Sequence, residues 1–478
     1  MLDKLDAIIV GSGFGGAFAA DALVAAGLRV AMVERGPWRD NQAMRNAGIP
    51  DRSPYPRHGR FFSHYLRTVS AGILPRRGLT LNRRGFVELH VQHNLTVVCT
   101  SNVGGGSHIY TAMNVPPAVA HFWDGHAEGL DDTGMQKHIH TCLQRLGARP
   151  ERLEDNVPNF VGRLFADDPD FAPYPEQPPM SYRYATATHR ANSFFGCSNG
   201  NKVTLDELLI EPASRRGLTV LDLHEAVDLD RDGSGWRLTV RDLRRGETRT
   251  LTAPRLLLAA GALNTLRLLL AARERGHLGA LPALGQGFGS NGDTISYWAM
   301  NREGVDFTEG ATCHGRFMLR DQPDGPNLTV YGFSGLEDIP LLPGMHSRAR
   351  RDLLLVGMGA DQANGIVRYP KSRLKIEYDA ADSPIYRRIQ DSFEEITRRS
   401  GHKIYQLKSW PITVHPVGGA RAGNDARHAV VDGHGEVHGL PGLYVADAAG
   451  LPGAPGAPPS LSIAAWGCHV AEGIARKG

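Results

Sequence analysis

The hydrophobic pattern is cleanest at the start of the chain. Residues 7–10 form a short apolar run, 11–16 a glycine turn, 17–26 an Ala/Leu-rich stretch at helical spacing, and 29–34 a second β-branched run. That order predicts a β-α-β unit. From 37 to 98 the pattern turns irregular, with aromatics interleaved with basic residues (Arg60, Phe61, Phe62, His64, Tyr65, Arg67), as in a long excursion or lid. No secondary structure is assigned there.

Further along, 218–227 and 236–240 read as strands about a turn at 230–233, an antiparallel piece. Residues 255–260 read as a buried strand followed by a helix through 272. The stretch 296–409 mixes β-like segments (328–333, 353–358) with one amphipathic helix near 384–400, and reads as a second, substrate-facing domain. A strand at 442–446 and a closing helix at 461–475 complete the pattern. The fold class expected is mixed α/β (α+β), a Rossmann-like nucleotide-binding domain intergrown with an antiparallel-sheet substrate domain.

At 478 residues the chain is about three times the ~150-residue unit of one domain, which fits two intergrown domains. The 53 Lys and Arg against 50 Asp and Glu leave a net charge of only +3, too little to track a nucleic-acid backbone. The longest apolar stretches fall far short of the ~20 residues of a membrane-spanning helix, so no membrane span is expected. Five scattered cysteines without a C-x-x-C pair signal neither zinc nor a disulfide framework. No metal is expected. With a charge pair at Asp3 and Lys4 and no room for a signal peptide before residue 7, a cytoplasmic location is expected.

Gly11-Ser12-Gly13-Phe14-Gly15-Gly16 sits between a predicted strand and a predicted helix, and Glu34 ends the next strand 21 residues after Gly13. A dinucleotide fingerprint requires this context: one glycine for the tight turn, one for backbone approach to the pyrophosphate, one for helix-on-strand packing, and an acid for ribose hydroxyls. The pattern alone does not separate FAD from NAD.

Other segments do. Residues 102–107 followed by Met113 resemble the flavin-loop signature of the glucose-methanol-choline (GMC) oxidoreductases, in particular their cholesterol-oxidase-like branch. His415-Pro416-Val417-Gly418-Gly419, then Asp432, His438, Asp447 and Pro459-Ser460-Leu461-Ser462-Ile463, resemble that family's C-terminal signature, and 195–205 and 257–263 fit the same template. The resemblance is weakest over 37–98 and 296–409. It implies non-covalent FAD, a small-molecule substrate, and molecular oxygen or a separate electron acceptor. It further implies an FAD-binding domain of 1–45, 90–120, 195–295 and 410–478, with a substrate-binding cap of 46–89, 121–194 and 296–409.

Carried over by position, Gly11, Gly13, Phe14, Gly15, Gly16, Glu34 and Arg35 would hold the ADP half, and Ala226 would meet the adenine edge. Val103, Gly104, Gly105 and Ser107 would pass along the isoalloxazine. Asp447 would sit at the ribityl and pyrophosphate, with Ala260, Ala448, Pro459 and Ser460 nearby. His108 lies one position before the residue that links flavin covalently in some members, which here is Ile109.

His415 is similar to the family's active-site histidine, expected to take the alcohol proton while hydride passes to flavin N5. The departures are Pro458, where the family carries Asn or His, and Tyr110, where the cholesterol-oxidase branch often has Asn. With Met113 these are the expected substrate contacts. Glu337 falls near an active-site glutamate of that branch and is the candidate second base. The resemblance thus implies oxidation of a CH–OH group on a hydrophobic alcohol such as a sterol, terpenoid or polyketide. Pro458 motivates the alternative, a redox-neutral lyase or isomerase.

Overall fold

In the computed structural model, residues 4–76, 78–150, 178–183, 192–233, 235–309, 311–317, 325–335, 339–340, 342–406 and 410–477 are described. The predicted β-α-β unit is present as strand β1 (Ala7–Val10), helix α1 (Phe14–Ala25) and strand β2 (Val30–Val33). Both strands are buried at every position, because three more parallel strands and helices on either side enclose them. These are β3 (Thr219–Leu221), β4 (Arg255–Leu258) and β5 (Leu443–Val445), in the order β3-β2-β1-β4-β5. The register pairs Ile8 with Ala31 and Leu256, and Leu257 with Tyr444.

Glycine sets how closely the helices approach this sheet. A Cβ on Gly15 would lie 1.7 Å from the Ala446 carbonyl oxygen, so α1 can begin directly over the end of β5 only without a side chain there. The closing helix, Ser460–Arg476, crosses α1 at the same point, where a Cβ on Gly467 would meet the Gly15 oxygen at 2.4 Å. Backbone contact of this kind ties the two ends of the chain into one unit.

The expected strand 218–227 is two strands in two sheets. Thr219–Leu221 completes the parallel sheet, and Leu223, at φ +51°, breaks the run before His224–Asp232 opens a three-stranded antiparallel meander with Gly235–Asp242 and Thr248–Ala253. Pairing extends to Asp232 with Gly235, so the reversal comes two residues later than expected.

The substrate-facing region holds a five-stranded antiparallel sheet in the order 313–317, 327–331, 353–358, 294–298, 404–406. The predicted amphipathic helix, Pro384–Ser400, lies across it and buries Ile385, Ile389, Phe393 and Ile396. Gly357 and Gly359 make the room: a Cβ on either would strike Ile389 or Ile385 at 2.5 or 2.3 Å.

The unassigned stretch 37–98 supplies most of another five-stranded sheet, ordered 412–413, 96–100, 87–91, 66–70, 79–80. Its strand Val87–Val91 spans the domain boundary expected at 89/90, and the pairing of Ile412–Thr413 with 96–97 brings the C-terminal segment beside it. Among the described residues no helix is long and apolar enough to cross a membrane.

Candidate active site

The glycine turn lines a cleft at the C-terminal end of the parallel sheet, together with Glu34, Arg35, Gly105, Ala226, Ala260 and Asn264. Gly11, at φ +101°, makes the turn under the Ala259 carbonyl, which a Cβ would approach to 2.1 Å. Gly13 differs: a Cβ there would meet nothing within 4 Å, so the side on which a side chain would stand is open at the N-terminus of α1. That is the surface a pyrophosphate needs, with helix N–H groups aimed at it. Gly16 is filled from behind by the Gly11 oxygen, 2.2 Å from where its Cβ would be. The cleft therefore fits the ADP half of a dinucleotide.

Glu34 faces the same cleft. Its carboxylate accepts from the Ser12 hydroxyl at 2.6 Å and from the Gly36 N–H at 2.7 Å, and burial pushes its pKa upward. Arg35 turns away to Glu88 at 2.7 Å.

The flavin-loop residues are buried and hydrogen-bonded among themselves. Gly104, at φ +97°, turns the chain so that Gly105 packs on Gly13. The Ser107 hydroxyl donates to the Gly104 oxygen at 2.7 Å and accepts from Leu205 N at 3.0 Å. Val103 is fully buried, and its carbonyl lies 2.7 Å from His108 Nε2. Beneath the loop, Lys202 Nζ donates to the His108 and Tyr110 carbonyls, both at 2.8 Å. Burial depresses its pKa to about 7. Asn41 Nδ2 donates to Asp206 at 2.8 Å, and burial pushes Asp206 up to about 6.

Asp447 is not among the residues lining the cleft. One oxygen accepts from Gly261 N at 2.9 Å and Thr265 Oγ1 at 2.5 Å, the other from Ala449 N at 2.9 Å. It anchors the start of helix Ala262–Glu274 onto the C-terminal loop, and burial lifts its pKa to about 6. Ala448 accepts from Gly418 N, Pro459 precedes the first turn of the closing helix, and the Ser460 hydroxyl reaches the Met113 carbonyl at 3.3 Å. Phe14 packs edge-on against Tyr110, whose hydroxyl donates to the Val203 carbonyl at 2.8 Å.

His415 is partly exposed and held from behind. Its Nδ1 lies 2.9 Å from Oδ1 of Asp293, which is 1 % exposed. The other Asp293 oxygen takes the Thr413 hydroxyl at 2.8 Å and Val414 N at 3.0 Å. A carboxylate only accepts, so this contact places the imidazole proton on Nδ1 and leaves Nε2 as the free base nitrogen. Two residues earlier, Asn291 fixes the loop ahead of Pro458: its Nδ2 donates to the Ala457 carbonyl at 3.0 Å and its Oδ1 accepts from Gly456 N at 2.8 Å. One segment, 291–293, thus braces both the histidine and the loop carrying Pro458.

Sequence reasoning missed Asn291, Asp293 and Thr413. The polar, glycine-rich run 289–293 ahead of a strand was the available signal. Glu337 lies outside the described residues. Pro458 is buried, and Ala457 and Met113 belong to an apolar cluster with Ala112, Val115, Met180, Cys313, Tyr331, Val356 and Met358.

Residues 358–467 match a family model described as GMC oxidoreductase. Over its full length the chain is 26 % identical to a cholesterol oxidase of Mycobacterium tuberculosis, covering 92 % of that protein. It is also similar to a long-chain-alcohol oxidase of Arabidopsis thaliana, at 23 % identity over 99 % of this chain and 67 % of that one. Among solved structures, pyridoxine 4-oxidase from Mesorbium loti shares the fold, with a TM-score of 0.68 at 17 % identity over 98 % of this chain and 99 % of that one.

Proposed function

We propose that this chain is a GMC oxidoreductase, a family of flavoproteins, and that it uses non-covalently bound FAD to oxidise the CH–OH group of an apolar alcohol, with His415 as base. The carrying observation is the 2.9 Å contact between His415 Nδ1 and buried Asp293, with the apolar cluster reaching Ala457 beside the same brace. Sterol and long-chain alcohols are the substrates named for two relatives, and the apolar cluster supports the same class here.

FAD, when bound, supplies a two-electron acceptor for the hydride. The chain's own residues do the rest. The hydrogen bond to Asp293 keeps the imidazole proton on Nδ1, so Nε2 can accept the hydroxyl proton of the alcohol, help worth ~10² to 10⁴ in rate. The carboxylate also stabilises the imidazolium that forms. Met113, Met358, Tyr331 and Ala457 pack into one buried apolar cluster that reaches the loop carrying Pro458, an apolar setting that suits an apolar alcohol. Glu34 and the Gly13 turn would hold the ADP half, and the family's oxidase relatives support molecular oxygen as the final acceptor.

Pro458 favours a second reading. It offers neither a side-chain donor nor a backbone N–H beside the substrate oxygen, as suits a redox-neutral lyase or isomerase. Anaerobic titration with a panel of apolar and polar alcohols separates the two. Bleaching of the oxidised flavin band by a sterol or long-chain alcohol supports the first. A flavin that dithionite reduces and no alcohol does overturns it in favour of the second.

A further inference from the structure

Beside the glycine cleft lies a larger cavity, about 660 Å³, that shares Arg35, Glu225, Asn264 and Arg267 with the cleft but none of Gly11, Gly13, Glu34 or Ala226. Its lining is unbalanced in charge: eight arginine and lysine side chains against two carboxylates, Glu88 and Glu225. Both carboxylates are already engaged. Glu88 stands 2.7 Å from Arg35 and 3.2 Å from Arg67 and accepts from the Ser101 hydroxyl. Glu225 pairs with Arg241 and lies 3.8 Å from Arg35.

Lys375 pairs with Glu377 at 2.9 Å, outside the lining, whereas among the described residues Arg83 and Arg373 meet no carboxylate. Arg83 donates to the Leu243 carbonyl, and Arg373 donates to the carbonyls of Ala71, Gly72 and Leu74, which fixes their guanidinium groups while leaving their charge uncompensated. His90 is 9 % exposed, and its Nε2 has no hydrogen-bond partner; the nearest Glu88 oxygen is 3.9 Å away. Nε of Arg241 and Nε of Arg267 are buried and equally without acceptors. A lining of this kind is short of acceptor oxygens carrying negative charge, and guanidinium forks match phosphate oxygens best.

We propose that this cavity binds a phosphate-bearing anion of nucleotide size, seated beside the adenosine end of the dinucleotide cleft. Its volume lies in the range that encloses ligands of a few hundred cubic ångströms. The site is independent of the alcohol chemistry at His415, and its occupant would press on the cofactor through Arg35 and Arg267, which belong to both walls.

The test is calorimetric titration of the flavin-loaded protein at roughly physiological salt with ATP, inorganic tripolyphosphate and adenosine in parallel. Saturable binding of ATP and tripolyphosphate, but not adenosine, is expected. The double variant Arg83→Glu/Arg373→Glu should weaken it by roughly tenfold or more, with the flavin-to-protein ratio unchanged. Should that variant not fold, Arg373→Gln alone should weaken binding in the same direction. Absence of saturable heat, binding only after the flavin is stripped, or equal binding of adenosine each overturns the proposal. Flavin absorbance of the same samples reports cofactor binding separately, so failure here is distinct from failure of the FAD reading.

Discussion

His415 Nδ1 and Asp293 Oδ1 stand 2.9 Å apart although 122 residues separate them in sequence. Because Asp293 is buried and its second oxygen is held by Thr413 and Val414, the imidazole has one orientation, with Nε2 outward. Substituting His415→Ala is expected to lower kcat by ~10² or more, the scale of general-base help. Asp293→Asn should lower it less, by roughly tenfold or more, since the ring stays but its counter-charge is lost. Steady-state kinetics with the flavin-to-protein ratio as control check both. Unchanged kcat in His415→Ala removes the histidine from the mechanism.

Asn291 supports the opposite wall. Replacing it with Ala leaves the buried Ala457 carbonyl and Gly456 N–H without their partners. Each orphaned group costs about 1–3 kcal/mol, so the variant should melt lower and turn over more slowly together. A thermal midpoint equal to wild type would show that the 456–457 loop is held by other contacts.

Burial makes the stability acid-sensitive through histidines. His90 is depressed to about 4 and His108 to about 3, in both cases chiefly by desolvation. Their unfolded-state value is about 6.5, so below that pH the unfolded chain binds protons the native chain does not, and stability falls as pH drops. Each contributes a loss of about 1.4 kcal/mol per pH unit from 6.5 down to its folded value. Asp206 and Asp447, raised to about 6, act in the opposite sense below pH 6 and mask part of this. The comparison that isolates one group is His108→Gln against wild type. Between pH 7.5 and 5.5 the variant's thermal midpoint should fall less, and an equal fall refutes the assignment.

Both ring nitrogens of His108 are engaged inside the protein, Nε2 at 2.7 Å from the Val103 carbonyl and Nδ1 at 3.0 Å from the Tyr55 hydroxyl. The ring is fully buried, with no nitrogen left to bond a flavin. Acid precipitation should therefore release all the yellow colour into the supernatant. Flavin fluorescence travelling with the denatured protein would show a covalent link.

Four strands of the parallel sheet were legible because they are short, mostly apolar runs whose pattern survives without knowing the partners, whereas β3, only partly buried, merged in sequence with the antiparallel strand that follows it. The sheet built from 66–100 was not, since strands such as Leu66–Ser70 are only partly buried and acquire a sheet face through distant pairings such as Ile412 with Thr96. Asp293 was hidden for the same reason: nothing local marks an aspartate whose partner lies 122 residues away. Asp447 was visible as an acid but not in its role, because its partners, Gly261 and Thr265, become neighbours only once strands β4 and β5 pair.

Pro458 carries the sharpest remaining consequence. It sits in the buried loop that Asn291 braces, next to the residues bearing the apolar cluster, and on the proposed reading it would offer the substrate oxygen no donor. An unpaired buried oxygen costs about 1–3 kcal/mol, and every ~1.4 kcal/mol recovered in the transition state is tenfold in rate. Pro458→Asn is therefore expected to raise kcat/KM for an alcohol by roughly tenfold. The residue before Pro459 must stay extended, which Asn can adopt, so the loop should tolerate the change. The measurement is turnover of the same alcohol by both proteins under air. A gain assigns the missing contact to position 458. No gain, with FAD retained and an unchanged thermal midpoint, means that another group of this site already serves that oxygen.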